Sequence, residues 1–182
     1  TTHLIAKIGE NIVVRRTAIL TVGTGAISAY VHNQGAPGLG KIGVLVTLES
    51  GGERERIATF GRQIAMHVAA TAPQFLAVDD VDSARLERER DVLSAQARES
   101  GKPEEIVDKI VEGRLRKYYE EVVLLEQTYV IDGENKVAEA VDLLSKELGT
   151  GIKISGFVRF ALGEGINSKE DDFAAEVAEI SG

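Results

Sequence analysis

The sequence predicts an α+β chain: two small antiparallel sheet-plus-helix subdomains with an antiparallel helical hairpin inserted between them. Three observations predict it. Apolar runs rich in β-branched residues cluster at both ends, as in Ile42–Leu48 and Ile152–Phe160. Three- and four-residue apolar spacing marks the intervening helices. The character changes at Asp82, where arginine and acidic residues replace the apolar pattern. The boundaries that follow are 1–80 for the first subdomain, 81–121 for the hairpin, 122–166 for the second subdomain and 167–182 for a terminal docking helix.

Thr1–Gly9 places Leu4, Ile5 and Ile8 on one helical face with Gly9 as the stop. A chain that opens inside a helix reads as a fragment whose N-terminal part is missing. Ile12–Val14 and Ile19–Val22 read as strands, Gly23-Thr24-Gly25 as a turn and Ala26–His32 as the returning strand. Asn33–Gly40, with three glycines and Pro37, reads as a loop. Ile42–Leu48 is a buried strand. A helix from Glu55 to Ala72 carries Ile57, Phe60, Ile64, Met66, His67 and Val68 and stops before Pro73. The short connections favour antiparallel pairing.

The stretch 82–99 forms a helix with few apolar residues, Leu86, Val92, Leu93 and Ala97. Ser100–Pro103 breaks it and starts another, with Glu104 and Glu105 at its positive end. Ile106, Val107, Ile110, Val111, Leu115, Tyr118 and Val122 follow at helical spacing. The pairs Leu86/Leu93 and Val111/Tyr118 are seven apart, the period of a two-helix coiled coil. Val122–Ile131 reads as a strand, Val137–Leu148 as a helix ended by Gly149, and Ile152–Phe160 as a half-buried strand. A final helix runs from Lys169, with Phe173, Val177 and Ile180 on a narrow apolar stripe among acidic residues. It docks on its own body or on another protein; the pattern alone does not choose.

Composition restricts the chemistry. The 182 residues carry 29 acidic and 21 basic side chains, a formal net charge of −8, which argues against a binder that tracks nucleic-acid phosphates. There is no cysteine, which excludes disulfides, thiolate zinc sites and a cysteine nucleophile. No apolar run approaches the roughly 20 residues that span a bilayer, and no signal-peptide pattern opens the chain. A soluble, cytoplasmic protein without membrane or nucleic-acid partners is expected. His3, His32 and His67 are too scattered for a metal site, no triad or nucleophile elbow is visible, and neither a cofactor nor covalent catalysis is expected.

Two motifs have competing readings. Gly38-Leu39-Gly40-Lys41-Ile42-Gly43 fits G-x-G-x-x-G, and Gly35–Lys41 fits G-x-x-x-x-G-K. Both need a helix after the loop to hold phosphate, whereas a strand follows, and Ile42 stands where magnesium would want Ser or Thr. The loop is read as a connection between strands. His67 in Ile64–Ala70 reads either as a core histidine with a backbone partner or as the edge of an exposed apolar patch that docks a partner.

Taken together, the segments resemble the bacterial translation elongation factor Ts family over nearly the whole length. The blocks that carry the resemblance are Lys7–Ile12 with Arg15-Arg16, Ala29–His32, Ile42–Val46, Ile64–Ala70, Pro103–Arg116, Leu125–Gln127, Gly156–Phe160 with Gly163–Ile166, and Asp172–Val177. The resemblance implies a guanine-nucleotide exchange factor that promotes GDP release from elongation factor Tu in protein synthesis. A non-exchange interaction or dimerisation module is the alternative. By position, it implies that His67 and its neighbour Met66 lie at the contact with the third domain of that GTPase. Ile42 and Gly43 would belong to the contact with its nucleotide-binding domain, and Phe173, Val177 and Ile180 would pack on a helix of the same domain. The helical pair would be a protruding coiled coil, which leaves a homodimer open. Family members also begin with a small helical bundle and a Thr-Asp-Phe-Val motif, which this sequence does not contain, so weaker exchange is expected of it.

Overall fold

A computed structural model describes residues 1–10, 13–99, 101 and 103–165. The fold is α+β. The described elements are α1 (Thr2–Ile8), β1 (Gly25–Ala36), β2 (Leu39–Ser50), α2 (Arg54–Thr71), α3 (Ser83–Glu99), α4 (Glu104–Val122), α5 (Val137–Leu148) and β3 (Ile152–Ala161), with short 3₁₀ turns at Val78–Asp80 and Leu124–Glu126.

One antiparallel sheet of order β1-β2-β3 organises the body. β1 and β2 form a long hairpin in which Ala26 faces Leu48, Tyr30 faces Val44 and His32 faces Ile42. Only Pro37 and Gly38 lie between its paired ends Ala36 and Leu39. Proline presets the first turn angle, and Gly38 takes φ 75°, which costs glycine little. The expected loop Asn33–Gly40 is therefore mostly strand. Its glycines relax the strand without ending it, and a register shift between Gln34 and Ala36 absorbs the irregularity.

The expected second sheet is also replaced. Among the described residues β3 adds directly to β2, with Val46 opposite Phe157 and Leu48 opposite Ile154. The long, apolar β2 thus has both of its edges paired. Val44, Val46 and Leu48 point to one face and meet Ile57, Ile64 and Val68 of α2, together with Leu124, Val137 and Ile154. Each such side chain, fully buried, contributes about 1.5–3 kcal/mol, so this layer holds the body together.

Three predicted strands, Ile12–Val14, Ile19–Val22 and Val122–Ile131, are not strands among the described residues. Residues 13–22 form no regular element, and Val13, Val14 and Ile19 are exposed; Arg16 packs over Phe160 of β3, but among the described residues no strand pairs with the segment, and β-branched composition cannot supply the partner. The run Val122–Ile131 instead ends α4, makes a 3₁₀ turn and continues as a loop. Its hydrophobicity reflects burial: Val123 and Leu124 are wholly enclosed, and the backbone is tied to 74–76 by an isolated parallel bridge between Phe75 and Val123, with bonds such as Phe75 N–H to Val122 O and Leu124 N–H to Phe75 O.

α3 and α4 pack on each other around Leu93, Ala97, Val107, Val111 and Leu115, a small core separate from the sheet. A second small cluster, Val81, Val122 and Val123 with Phe75 and Tyr118, joins this pair to the body. α1 buries none of its residues, and Gly9 ends it at φ 75°. The predicted terminal helix with Phe173, Val177 and Ile180 lies outside the described residues.

Candidate partner-binding groove

The structure brings Ile42 and Met66, 24 positions apart in the chain, to one groove. Its walls are Tyr30, His32 and Ile42 from the β1–β2 hairpin, Met66, Ala69 and Ala70 from α2, and Val130 and Ile131 from the loop after α4. The groove measures about 470 Å³. Its rim is unusually apolar for a surface: Met66 is 38 % exposed and Val130 and Ile131 are each 46 % exposed. Clustered exposed apolar side chains mark interaction sites more than isolated ones do.

Local sequence explains each wall. In β2, alternation sends Val44, Val46 and Leu48 into the core, and Ile42 lies on the same face just beyond the body of α2. Gly43, one residue on, belongs to the other face, between Val31 and Phe160. The two residues expected in one contact region thus belong to opposite faces of the sheet. In α2, Ile64, Ala65 and Val68 face the core, and the neighbouring positions Met66, Ala69 and Ala70 line the groove. Small side chains at Ala69 and Ala70 keep the groove open. Tyr30 Oη lies 3.0 Å from His32 Nδ1 on the hairpin wall.

His67 is not on the surface. It is fully enclosed beneath the groove, a core histidine with a backbone partner. The main-chain N–H of Val130 donates to Nδ1 at 3.2 Å. A backbone amide can only donate, so Nδ1 carries no proton and Nε2–H donates to Gln127 Oε1 at 2.9 Å. Gln127 Nε2 in turn donates to Glu121 O at 2.8 Å. Thr71 Oγ1 lies 2.8 Å from Gln127 Oε1 and 2.9 Å from His67 O. Burial pushes the imidazole pKa below its ordinary value, against a smaller upward pull from the Gln127 hydrogen bond. The Tyr129 ring lies tilted beside it, centroids 5.9 Å apart and planes at 51°. Burial, helped by the charge of Asp132, pushes the Tyr129 phenol up to about 12, so it stays a neutral donor to Gln63 Oε1 at 3.3 Å.

Sequence reasoning placed Gln127 only in the block Leu125–Gln127 that carries the resemblance, and Val130 and Ile131 only in an expected strand, and gave none of them a role at a site. A signal existed: Gln127 is a lone amide between the apolar runs Val122–Leu125 and Tyr129–Ile131, and a buried amide requires partners.

The residues of both glycine motifs lie in the β1–β2 hairpin, with Lys41 inside β2. No helix N-terminus follows them, so the geometry that would hold a phosphate is missing from that place. Among the described residues no group of three or more His, Cys, Asp or Glu could hold a metal ion, and no helix is long and apolar enough to cross a membrane.

The family profile for "Elongation factor TS" matches residues 1–164. The chain belongs to the elongation factor Ts family. Among its relatives, the elongation factor Ts of Rhodospirillum centenum is 59 % identical over 181 residues, covering 100 % of this chain and 59 % of the relative. That of Gluconobacter oxydans is 58 % identical over 181 residues, covering 100 % of this chain and 58 % of the relative. That of Rhodospirillum rubrum is 57 % identical over 177 residues, covering 97 % of this chain and 57 % of the relative. The chain therefore spans a little under three fifths of the length of these elongation factor Ts relatives.

Proposed function

We propose that this chain is the part of a guanine-nucleotide exchange factor that grips elongation factor Tu, with the groove around Met66 and Ile42 as one gripping surface. The observation that carries this reading is the convergence of Met66, Ile42, Val130 and Ile131 on one open apolar groove in a member of the elongation factor Ts family. Gly43 on the opposite sheet face and the stripe Phe173, Val177 and Ile180 supply further contacts, and the α3–α4 pair is the coiled coil.

Exchange of this kind needs no covalent chemistry. The factor binds the nucleotide-free GTPase more tightly than the GDP-bound form, and by linkage GDP weakens the factor's own binding by the same ratio. A contact that holds both forms equally strengthens the complex without releasing GDP. The groove is such a contact when it engages a GTPase surface remote from the nucleotide.

The test is release of fluorescent GDP from elongation factor Tu at saturating concentrations of this chain, beside its affinity for the GTPase. Binding with GDP release above the intrinsic rate is the expected result, and Met66→Glu and Ile131→Glu are each expected to weaken binding. Binding that leaves the release rate unchanged would favour an interaction module without exchange. No binding at all would refute both readings.

A further inference from the structure

The loop that forms one rim of the groove is held by a side chain that never reaches the surface. Within this loop Tyr129 N–H bonds to Asn135 O and Gly133 N–H to Tyr129 O, each at 2.8 Å. Val130 N–H takes no part in that turn; its acceptor is His67 Nδ1, 63 residues earlier in the chain. The imidazole is in turn fixed by Gln127, whose carbonyl oxygen and amide nitrogen are both engaged. One end of the network is thus α2, which carries Met66, and the other is the rim, which carries Val130 and Ile131. The ring joins the two walls of the groove.

We infer that His67 is a positioning residue: it sets the width of the groove by anchoring the Val130–Ile131 rim to α2, and it acts on a partner through that rim and not by touching it. The use of this groove for a partner rests on the proposed function; the anchoring of the rim does not. A merely structural role would make every substitution of His67 act in proportion to lost stability. Anchoring makes one nitrogen matter more than the other. Asparagine places an oxygen near the position of Nδ1, whereas glutamine places its amide nitrogen near that of Nε2. His67→Asn keeps the acceptor for Val130 N–H and loses the donor to Gln127. His67→Gln does the reverse.

The experiment compares the two variants by amide hydrogen exchange at Val130 and by affinity for GDP-bound elongation factor Tu. In His67→Gln the Val130 amide is expected to exchange on the order of tenfold faster, with affinity falling by a similar factor, because a buried anchor has lost its acceptor. In His67→Asn both are expected to stay within about threefold of the parent, even though the two variants lose comparable stability. His67→Phe, which keeps an apolar ring and removes both nitrogens, gives the same Val130 readout as His67→Gln should glutamine pack poorly. Equal Val130 exchange in His67→Gln and the parent overturns the inference whatever the partner does. Equal loss in both variants overturns it as well, leaving a plain stability effect. Accelerated exchange in His67→Gln with unchanged affinity refutes action through the rim. A parent chain that binds no GTPase refutes the proposed function, and the exchange data still decide the anchor.

Discussion

Gly61 of α2 sits so close to Ser28 of β1 that a Cβ at Gly61 would lie 2.5 Å from Ser28 Oγ and 2.6 Å from Leu48 Cδ1. Ser28 Oγ itself donates to Ala58 O at 2.8 Å. The helix therefore rests on the sheet at a point where a hydrogen atom replaces a side chain. A glycine inside a helix costs about 1 kcal/mol relative to alanine, and here close packing outweighs that cost.

Gly61→Ala is expected to destabilise the chain by about 1–3 kcal/mol, the usual cost of overpacking, despite its better helix propensity. Adding Ser28→Ala removes the Oγ clash but not the one with Leu48. The double variant is expected to lose less than the sum of the singles, and urea unfolding of all four chains measures the coupling. Additive losses would show that the contact relaxes without strain.

Stability should depend on His67 protonation. Its folded pKa lies below the ordinary 6.5 because burial disfavours the imidazolium, and the protonated ring would also set an N–H against the Val130 N–H. The unfolded chain then binds more protons than the folded one, so this contribution is complete above about pH 6.5 and is lost as pH falls through the lower, folded pKa. Unfolding between pH 8 and pH 5 should show the parent losing stability relative to His67→Asn. Parallel curves would contradict the neutral, buried ring.

Gly43→Ala is expected to leave stability within about 0.5 kcal/mol of the parent, as for substitutions away from packed features. A Cβ there meets nothing within 4 Å, and its backbone needs no left-handed angle. With the contact role proposed for Gly43, affinity for elongation factor Tu falls while the melting temperature does not move. A melting shift of several degrees without loss of affinity would reverse the assignment.

The hairpin glycines are expected to bind no nucleotide. Lys41 lies within β2, and a strand, not a helix, follows the motif. Isothermal titration of GDP or ATP into the chain alone should give no micromolar binding, and Lys41→Ala should change nothing. Micromolar binding lost in Lys41→Ala would establish a phosphate site on a geometry unlike the usual one.

The sequence alone determined what short-range physics controls. Apolar spacing delimited α2, α4 and α5 nearly to the residue, because a helix face repeats within one turn. Gly9 and Gly149 ended their helices as read, each at positive φ. The local pattern also offered a core histidine with a backbone partner. Tertiary structure decided what depends on distant partners. Hydrophobicity at Val122–Ile131 signals burial but not whether the buried backbone bonds in a ladder, and here it makes only isolated bridges, Val123 to Phe75 and Thr128 to Lys136. Nothing in Ile152–Phe160 says that its neighbour is β2, more than a hundred residues earlier. The groove depends on the same kind of fact. Ile42, Met66 and Val130 each carry an ordinary local signal, and only their long-range pairing, fixed by the sheet register and by His67 Nδ1, makes them one surface.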